Sequence, residues 1–198
     1  MTSDDAAIER LVEAARAGDA EAFGRLFDHY HGPVYRFVAS RVGRPADAED
    51  LTQLVFVKAL EALPRYEARG APFGGWLFRL ARNTVIDHVR TRRDHTDLEA
   101  VAERPGDDAG PDDIVTMREA LDEVAEALAE LTDDQRDAIA LRFFAGLSAR
   151  EAAVAMDKQE GTIRGLQFRG IAALRRRLGL DEPTGGEPGG RIERTDDG

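Results

Sequence analysis

"SAREAAVAMDKQEGTIRGLQFRGIAALRRRL", residues 148–178, holds two helical patterns separated by a short polar break. Ser148 followed three residues later by Glu151 is a capping box, so a short helix starts there and covers "AREAAVAM". The break "DKQE" follows. Beyond it, at about 100° per residue, Ile163, Leu166, Gly170, Ile171, Leu174 and Leu178 fall on one side of a second helix. Thr162, Gly165, Phe168, Arg169, Ala172 and Arg176 fall on the other. A short helix, a tight turn and a second helix make the helix-turn-helix plan, whose second helix lies in the DNA major groove. Ala152, Ala153 and Ala155 are small enough to let the two helices approach.

From Gly161 to Leu178 there are five arginines and no acid, in a chain of 198 residues with a formal net charge of -11. The average hides the distribution. Between Asp97 and Asp134 fourteen acids stand against Arg104 and Arg118, a local balance of -12 that accounts for the whole excess. Basic helices lie on both sides of it, and local positive charge can meet phosphates whatever the total. Charge alone fits a solvated basic face equally well; the capped helix and tight turn in front favour the nucleic-acid reading.

Composition removes other classes. With no cysteine there is no disulfide framework, thiolate metal site or cysteine nucleophile. No apolar run approaches the roughly 20 residues of a membrane span, so no membrane insertion is expected. The N-terminal "MTSDDAAIERLVEAARAGD" lacks the basic start and apolar core of a secretory signal. A cytoplasmic location is the expectation.

Working toward the N-terminus, apolar residues recur at spacings of three and four, and no strand pattern is convincing. The fold expected is all-α: two small helical domains joined by a flexible acidic linker, the second ending in the helix-turn-helix. Ile8, Leu11, Val12 and Ala15 form a first stripe closed by Gly18. Phe23, Leu26, Phe27 and Tyr30 form a second, a break is expected at Gly32-Pro33, and Val34, Phe37, Val38 and Val42 form a third. Asp47 is positioned to cap the next helix, through Leu51, Leu54, Val55 and Ala59 to Pro64. Pro72 suits the first turn of a long helix with Phe73, Leu77, Leu80 and Thr84 on one face. These helices give a first domain over 1–95. Residues 96–116, with "ERPGDDAGPDD", have almost nothing to bury and read as the linker. Helical spacing resumes through Leu121, Val124, Leu128 and Leu131, and Thr132 with Gln135 is another capping box. The second domain covers 117–180; the Gly/Pro-rich acidic tail 181–198 reads as disordered.

The helix after Pro72 carries Arg79, Arg82, Asn83, Ile86, Arg90 and Arg93 along one side, with Trp76 at its edge and Tyr66 and Phe73 in or beside the preceding loop. Basic groups beside exposed aromatics suit single-stranded or partly opened DNA, because bases stack on rings while the backbone follows the charge. The alternative is a core position, which suits Phe73 better than a DNA face and suits Trp76 equally well.

Four segments in this order, "DAEAFGRLFDHYHGPVYRFV" (19–38), "ADAEDLTQLVFVKALEAL" (46–63), "FGGWLFRLARNTVIDHVRTRRD" (73–94) and "LTDDQRDAIALRFFAGLS" (131–148) running into the opening stretch, resemble the extracytoplasmic-function group of sigma-70-family sigma factors. The resemblance covers roughly Ile8 to Leu178. It implies that the first domain, sigma region 2, binds the clamp helices of RNA polymerase and opens the promoter -10 element. The second, sigma region 4, would read the -35 element, with a further contact to the polymerase flap. By the same resemblance, Asp47, Asp50, Leu51, Gln53 and Leu54 would bind core polymerase. Arg65, Tyr66, Trp76, Arg79, Arg82, Asn83, Arg90 and Arg93 would hold the -10 region, and Thr162, Arg164, Gly165, Phe168, Arg169 and Arg176 the -35 region. No catalytic residue, metal or cofactor is implied; an anti-sigma factor is.

Two departures stand out. Leu54 replaces the acid that commonly follows Gln53, exchanging a charged clamp contact for an apolar one. The turn has "DKQEG", where the family usually has Gly, a basic residue and Ser: Asp157 can adopt the left-handed turn that Gly favours, at some cost, and Gln159 is a poorer cap than Ser. Two other function classes share parts of this pattern. A dimeric helix-turn-helix regulator would need a sensor or phosphoacceptor in the first half. A metalloenzyme would use His29, His31, His88 or His95, but His29 and His31 point to different faces of a helix.

Overall fold

The computed structural model describes residues 3–68, 71–96, 126–128 and 130–180, and no strand occurs among them. The first unit holds α1 (Ser3–Arg16), α2 (Ala20–Val42), α3 (Pro45–Ala62), which runs into a 3-10 turn at Leu63–Arg65, and α4 (Phe73–Thr96). The second holds α5 (Asp133–Ile139), continued by a π-helical turn Ala140–Phe144, then α6 (Ala149–Met156) and α7 (Glu160–Arg177). The expected tail, and the linker apart from Thr96 at the end of α4, lie outside the described residues.

Local signals place most helix starts. Asp19 caps α2, its carboxylate accepting from the Glu21 and Ala22 amides. Both capping boxes form, at Thr132 with Gln135 and at Ser148 with Glu151. The core of the first unit is Leu26, Val34, Phe37, Val38, Val55, Leu63, Leu77, Phe78 and Val85, with Phe37 meeting Phe78 edge-on at 5.9 Å. Leu141, Ala138, Ala152, Met156 and Ile163 fill the second.

Two boundaries differ from expectation. The break at Gly32-Pro33 does not occur: α2 runs unbroken through Pro33. Proline inside a helix removes a hydrogen bond and costs about 3 kcal/mol, but packing on both sides offsets this. Phe27 meets Phe56 at 4.6 Å on one side, and Val34, Phe37 and Val38 are fully buried on the other. Nor does Asp47 cap α3. The helix starts two residues earlier, at Pro45, with Arg44 as a cap that makes no side-chain bond. Asp47 lies in the first turn, 2.6 Å from Arg92 Nη1 and 3.9 Å from His88 Nε2.

Candidate nucleic-acid interface

The turn between α6 and α7 is made by Asp157, at φ 53° and ψ 48°. It is the only non-glycine residue with positive φ among those described, and an L-residue there is strained, aspartate less than most. Gln159 follows at the cap of α7 without making a side-chain capping bond. Ile163, Leu166 and Gly170 face inward. Gly170 lies close to α5: a Cβ there would stand 2.7 Å from Ile139 Cδ1, a side-chain end that would have to move aside. Thr162, Arg164, Phe168, Arg169 and Arg176 are exposed, Phe168 most among the large apolar residues at 75%, while Gly165 and Ala172 are half-buried. Arg164 pairs with Glu160 one turn back. Arg169 lies over Gly165, its Nη1 being 3.2 Å from where a Cβ would stand. The outward face is thus a hydroxyl, an aromatic ring and guanidinium groups projecting from a helix seated on two others.

The second basic face is arranged differently. Asn83, Ile86 and Arg90 on α4 are exposed, as is Arg65 in the 3-10 turn; Arg90 lies 3.7 Å from Asp87. The side chain of Arg93 and that of His95 lie outside those described. Tyr66 does not have the expected exposure. It is 6% exposed, packed against Trp76 at 4.8 Å and Phe73 at 5.6 Å, with its hydroxyl 3.4 Å from the Ala71 carbonyl. Burial raises its pKa, with a smaller contribution from Glu9. Phe73 is likewise buried and Trp76 half-buried, so one aromatic cluster closes the base of the loop.

Arg79 and Arg82 reach across to the second unit. Arg79 donates from Nε and Nη2 to the Val154 carbonyl at 3.1 and 2.8 Å, and Arg82 donates from Nε to Asp137 at 2.7 Å.

On α3, Asp50, Gln53 and Leu54 are exposed along one side. Leu51 is buried in the core instead, because it lies on the α3 face that packs inward with Val55. The exposed stripe continues through Val57 and Leu60, 52% and 53% exposed, which were not singled out in sequence. The signal was available: α3 has apolar residues on more of its circumference than its core face requires.

The histidines have ordinary surroundings. His31 lies tilted against Phe27 at 4.9 Å, His29 meets Tyr30 edge-on, and His88 lies beside Asp47. Among the described residues no group of three or more His, Cys, Asp or Glu side chains is placed to hold a metal ion. No helix among them is long and apolar enough to cross a membrane.

Comparison with known proteins agrees with this two-part layout. A family model described as Sigma-70 region 2 matches residues 26–95, and one described as Sigma-70, region 4 matches residues 127–176. The ECF RNA polymerase sigma factor BldN of Streptomyces coelicolor is 39% identical over 178 residues, 89% of this chain and 67% of its own length. ShbA of Streptomyces griseus, also an ECF RNA polymerase sigma factor, is 36% identical over 85% of this chain and 93% of its own. Among solved structures, CnrH in complex with the cytosolic domain of CnrY aligns with a TM-score of 0.67 at 27% identity, covering 89% of this chain and 99% of that one. The sigma factor RpoE of Bartonella quintana, in complex with the anti-sigma factor NepR, aligns at 0.62 and 28% identity, covering 82% and 100%.

Proposed function

The chain belongs to the extracytoplasmic-function RNA polymerase sigma factors of the sigma-70 family, and we propose a division of labour between its two units. Residues 1–95 bind core polymerase and open the -10 element, and residues 117–180 read the -35 element. The observation that carries this division is the pair of basic surfaces on α4 and α7, one on each unit. A dimeric regulator has no use for the first: it needs a sensor where this chain matches Sigma-70 region 2.

The exposed side of α3, Asp50, Gln53 and Leu54 extended by Val57 and Leu60, docks on the polymerase clamp helices, with Asp47 and Leu51 fixing that helix from beneath. Apolar side chains half-exposed in a row suit a partner surface that buries them. The second unit makes its own contact with the flap. α7 enters the major groove of the -35 element, where Arg164, Arg169 and Arg176 meet phosphates or guanines, and Thr162, Gly165 and Phe168 lie against base edges. Arg65, Arg79, Arg82, Asn83, Arg90 and Arg93 follow the backbone of the -10 strand. Trp76, with Tyr66 supporting it, offers a ring on which an unpaired base stacks.

The protein performs no bond chemistry itself and takes no metal or cofactor. Strand opening is driven by binding: capture of unpaired bases offsets unstacking, a few kcal/mol per base. It works in the cytoplasm, where polymerase is, and an anti-sigma factor holds it in reserve; the similar RpoE of Bartonella quintana forms a complex with the anti-sigma factor NepR. The test is reconstitution. Added to core polymerase with a promoter library, the chain yields discrete run-off transcripts that share -35 and -10 sequences; the absence of any promoter-selective transcript would refute the reading.

A further inference from the structure

Asp137 on α5 is the one acid buried among the described residues, at 1% exposure. Both guanidinium groups that face it come from the first unit: Arg82 Nε at 2.7 Å from one carboxylate oxygen and Arg41 Nε at 3.0 Å from the other. Burial holds the Arg41 pKa below its ordinary value even against the pull of Asp137, as expected of a charge that has given up its water. Neighbouring acids extend the contact. Asp134 lies 3.7 Å from Arg82 and 3.0 Å from Lys158, and Asp133 lies 4.0 Å from Arg41 and 3.8 Å from Arg136. Two packing features complete the seam. Arg79 closes on the Val154 carbonyl in the last turn of α6. At Gly75 on α4, an added Cβ would stand 2.7 Å from Val154 Cβ and 3.1 Å from the Glu151 carbonyl oxygen. Only a glycine lets α6 lie this close.

We propose that Asp137 is a phosphate-mimicking latch: its carboxylate, seated between Arg41 and Arg82, holds the second unit against α4 and keeps Arg79 and Arg82 from DNA until the units separate. An anion occupies the place between two guanidinium groups that a strand phosphate would otherwise take, and the glycine seam fixes the distance at which it does so. The autoinhibitory role rests on the assignment of Arg79 and Arg82 to DNA made above; the latch itself rests only on contacts between the units. Because those contacts are internal, opening needs no chemical change. A partner that binds either unit better when it is free, such as core polymerase on α3, shifts the balance by its differential affinity.

The chain has no cysteine, so dyes on Glu49→Cys and Leu180→Cys report the separation of the units by energy transfer in the otherwise intact protein. Two variants test the latch by different means: Asp137→Asn removes the charge at constant shape, and Gly75→Ala inserts a methyl into the seam without touching any charge. In the wild type high transfer is expected; in Asp137→Asn the open fraction rises by about tenfold or more, as loss of one partner of a buried pair predicts, and in Gly75→Ala it rises as well, because the added methyl overlaps Val154. Binding to a fork-junction DNA pool with randomised single-stranded overhangs tightens in parallel. Low transfer in the wild type, or unchanged high transfer in both variants, would overturn the latch. Opening without tighter DNA binding would overturn the autoinhibitory role and count against the DNA assignment of α4, whereas run-off transcription tests the sigma-factor function separately.

Discussion

Replacing Gln159 with Ser measures how much of the strength of DNA reading is lost at the weak start of α7. Gln159 has the extended backbone of a cap, φ -80° and ψ 149°, but makes no side-chain capping bond. At the start of α6, by contrast, Ser148 Oγ accepts from the Glu151 amide at 3.2 Å and the glutamate answers at 2.8 Å. A capping serine is worth about 0.5–2 kcal/mol. The gain at 159 belongs in the lower half of that range, because the Thr162 amide already has a partner in the Gln159 carbonyl at 2.9 Å. About 0.5–1 kcal/mol is expected, which in a unit of this size raises the melting midpoint by roughly 2–8 °C. Hydrogen exchange at the amides of residues 160–163 should slow by about two- to fivefold, as the same free energy requires. Promoter affinity should rise by no more than that factor. Unchanged exchange at these amides would refute the idea that the missing cap frays the helix.

Other outcomes follow from packing and charge. Phe37→Ala empties a site with no solvent exposure and should cost about 3–5 kcal/mol, read from denaturant unfolding of the first unit. Val57→Asp or Leu60→Asp should leave folding within about 0.5 kcal/mol, since both residues are half-exposed. Each should weaken core polymerase binding by about tenfold or more in a pull-down titration. The Tyr66 phenol, whose pKa burial raises above 10.0, should ionise later than a free tyrosine in a spectrophotometric titration. Because the folded pKa is the higher one, its contribution to stability is complete below the unfolded value and is lost as pH rises through the folded value.

Features encoded within a few residues were legible in the sequence. The two capping boxes, the left-handed Asp157 and the uncapped Gln159 need only a local reading, and the structure has all of them. The inward residues Ile163, Leu166 and Gly170 follow from helical spacing alone. What sequence missed depends on partners far away. Pro33 reads as a break until Phe56 and the buried Val34, Phe37 and Val38 are seen to hold α2 straight. Asp47 looks like a cap until Arg92, 45 residues on, takes its carboxylate. Tyr66 reads as an exposed loop aromatic until Phe73 and Trp76 enclose it. Asp137, in a helix that begins with two other acids, gives no sign that it alone is buried; Arg82, its partner, is 55 residues away.

The central claim is that one chain holds promoter DNA at two separate basic helices while polymerase does the chemistry. It is tested most directly by initiation from reconstituted holoenzyme bearing Arg79→Ala with Arg82→Ala, or Arg169→Ala with Arg176→Ala. The first pair should abolish open-complex formation, scored by permanganate reactivity of unpaired thymines, while retaining -35 binding; the second should lose selective binding to -35 sequences. Wild-type initiation from both altered holoenzymes would contradict the account.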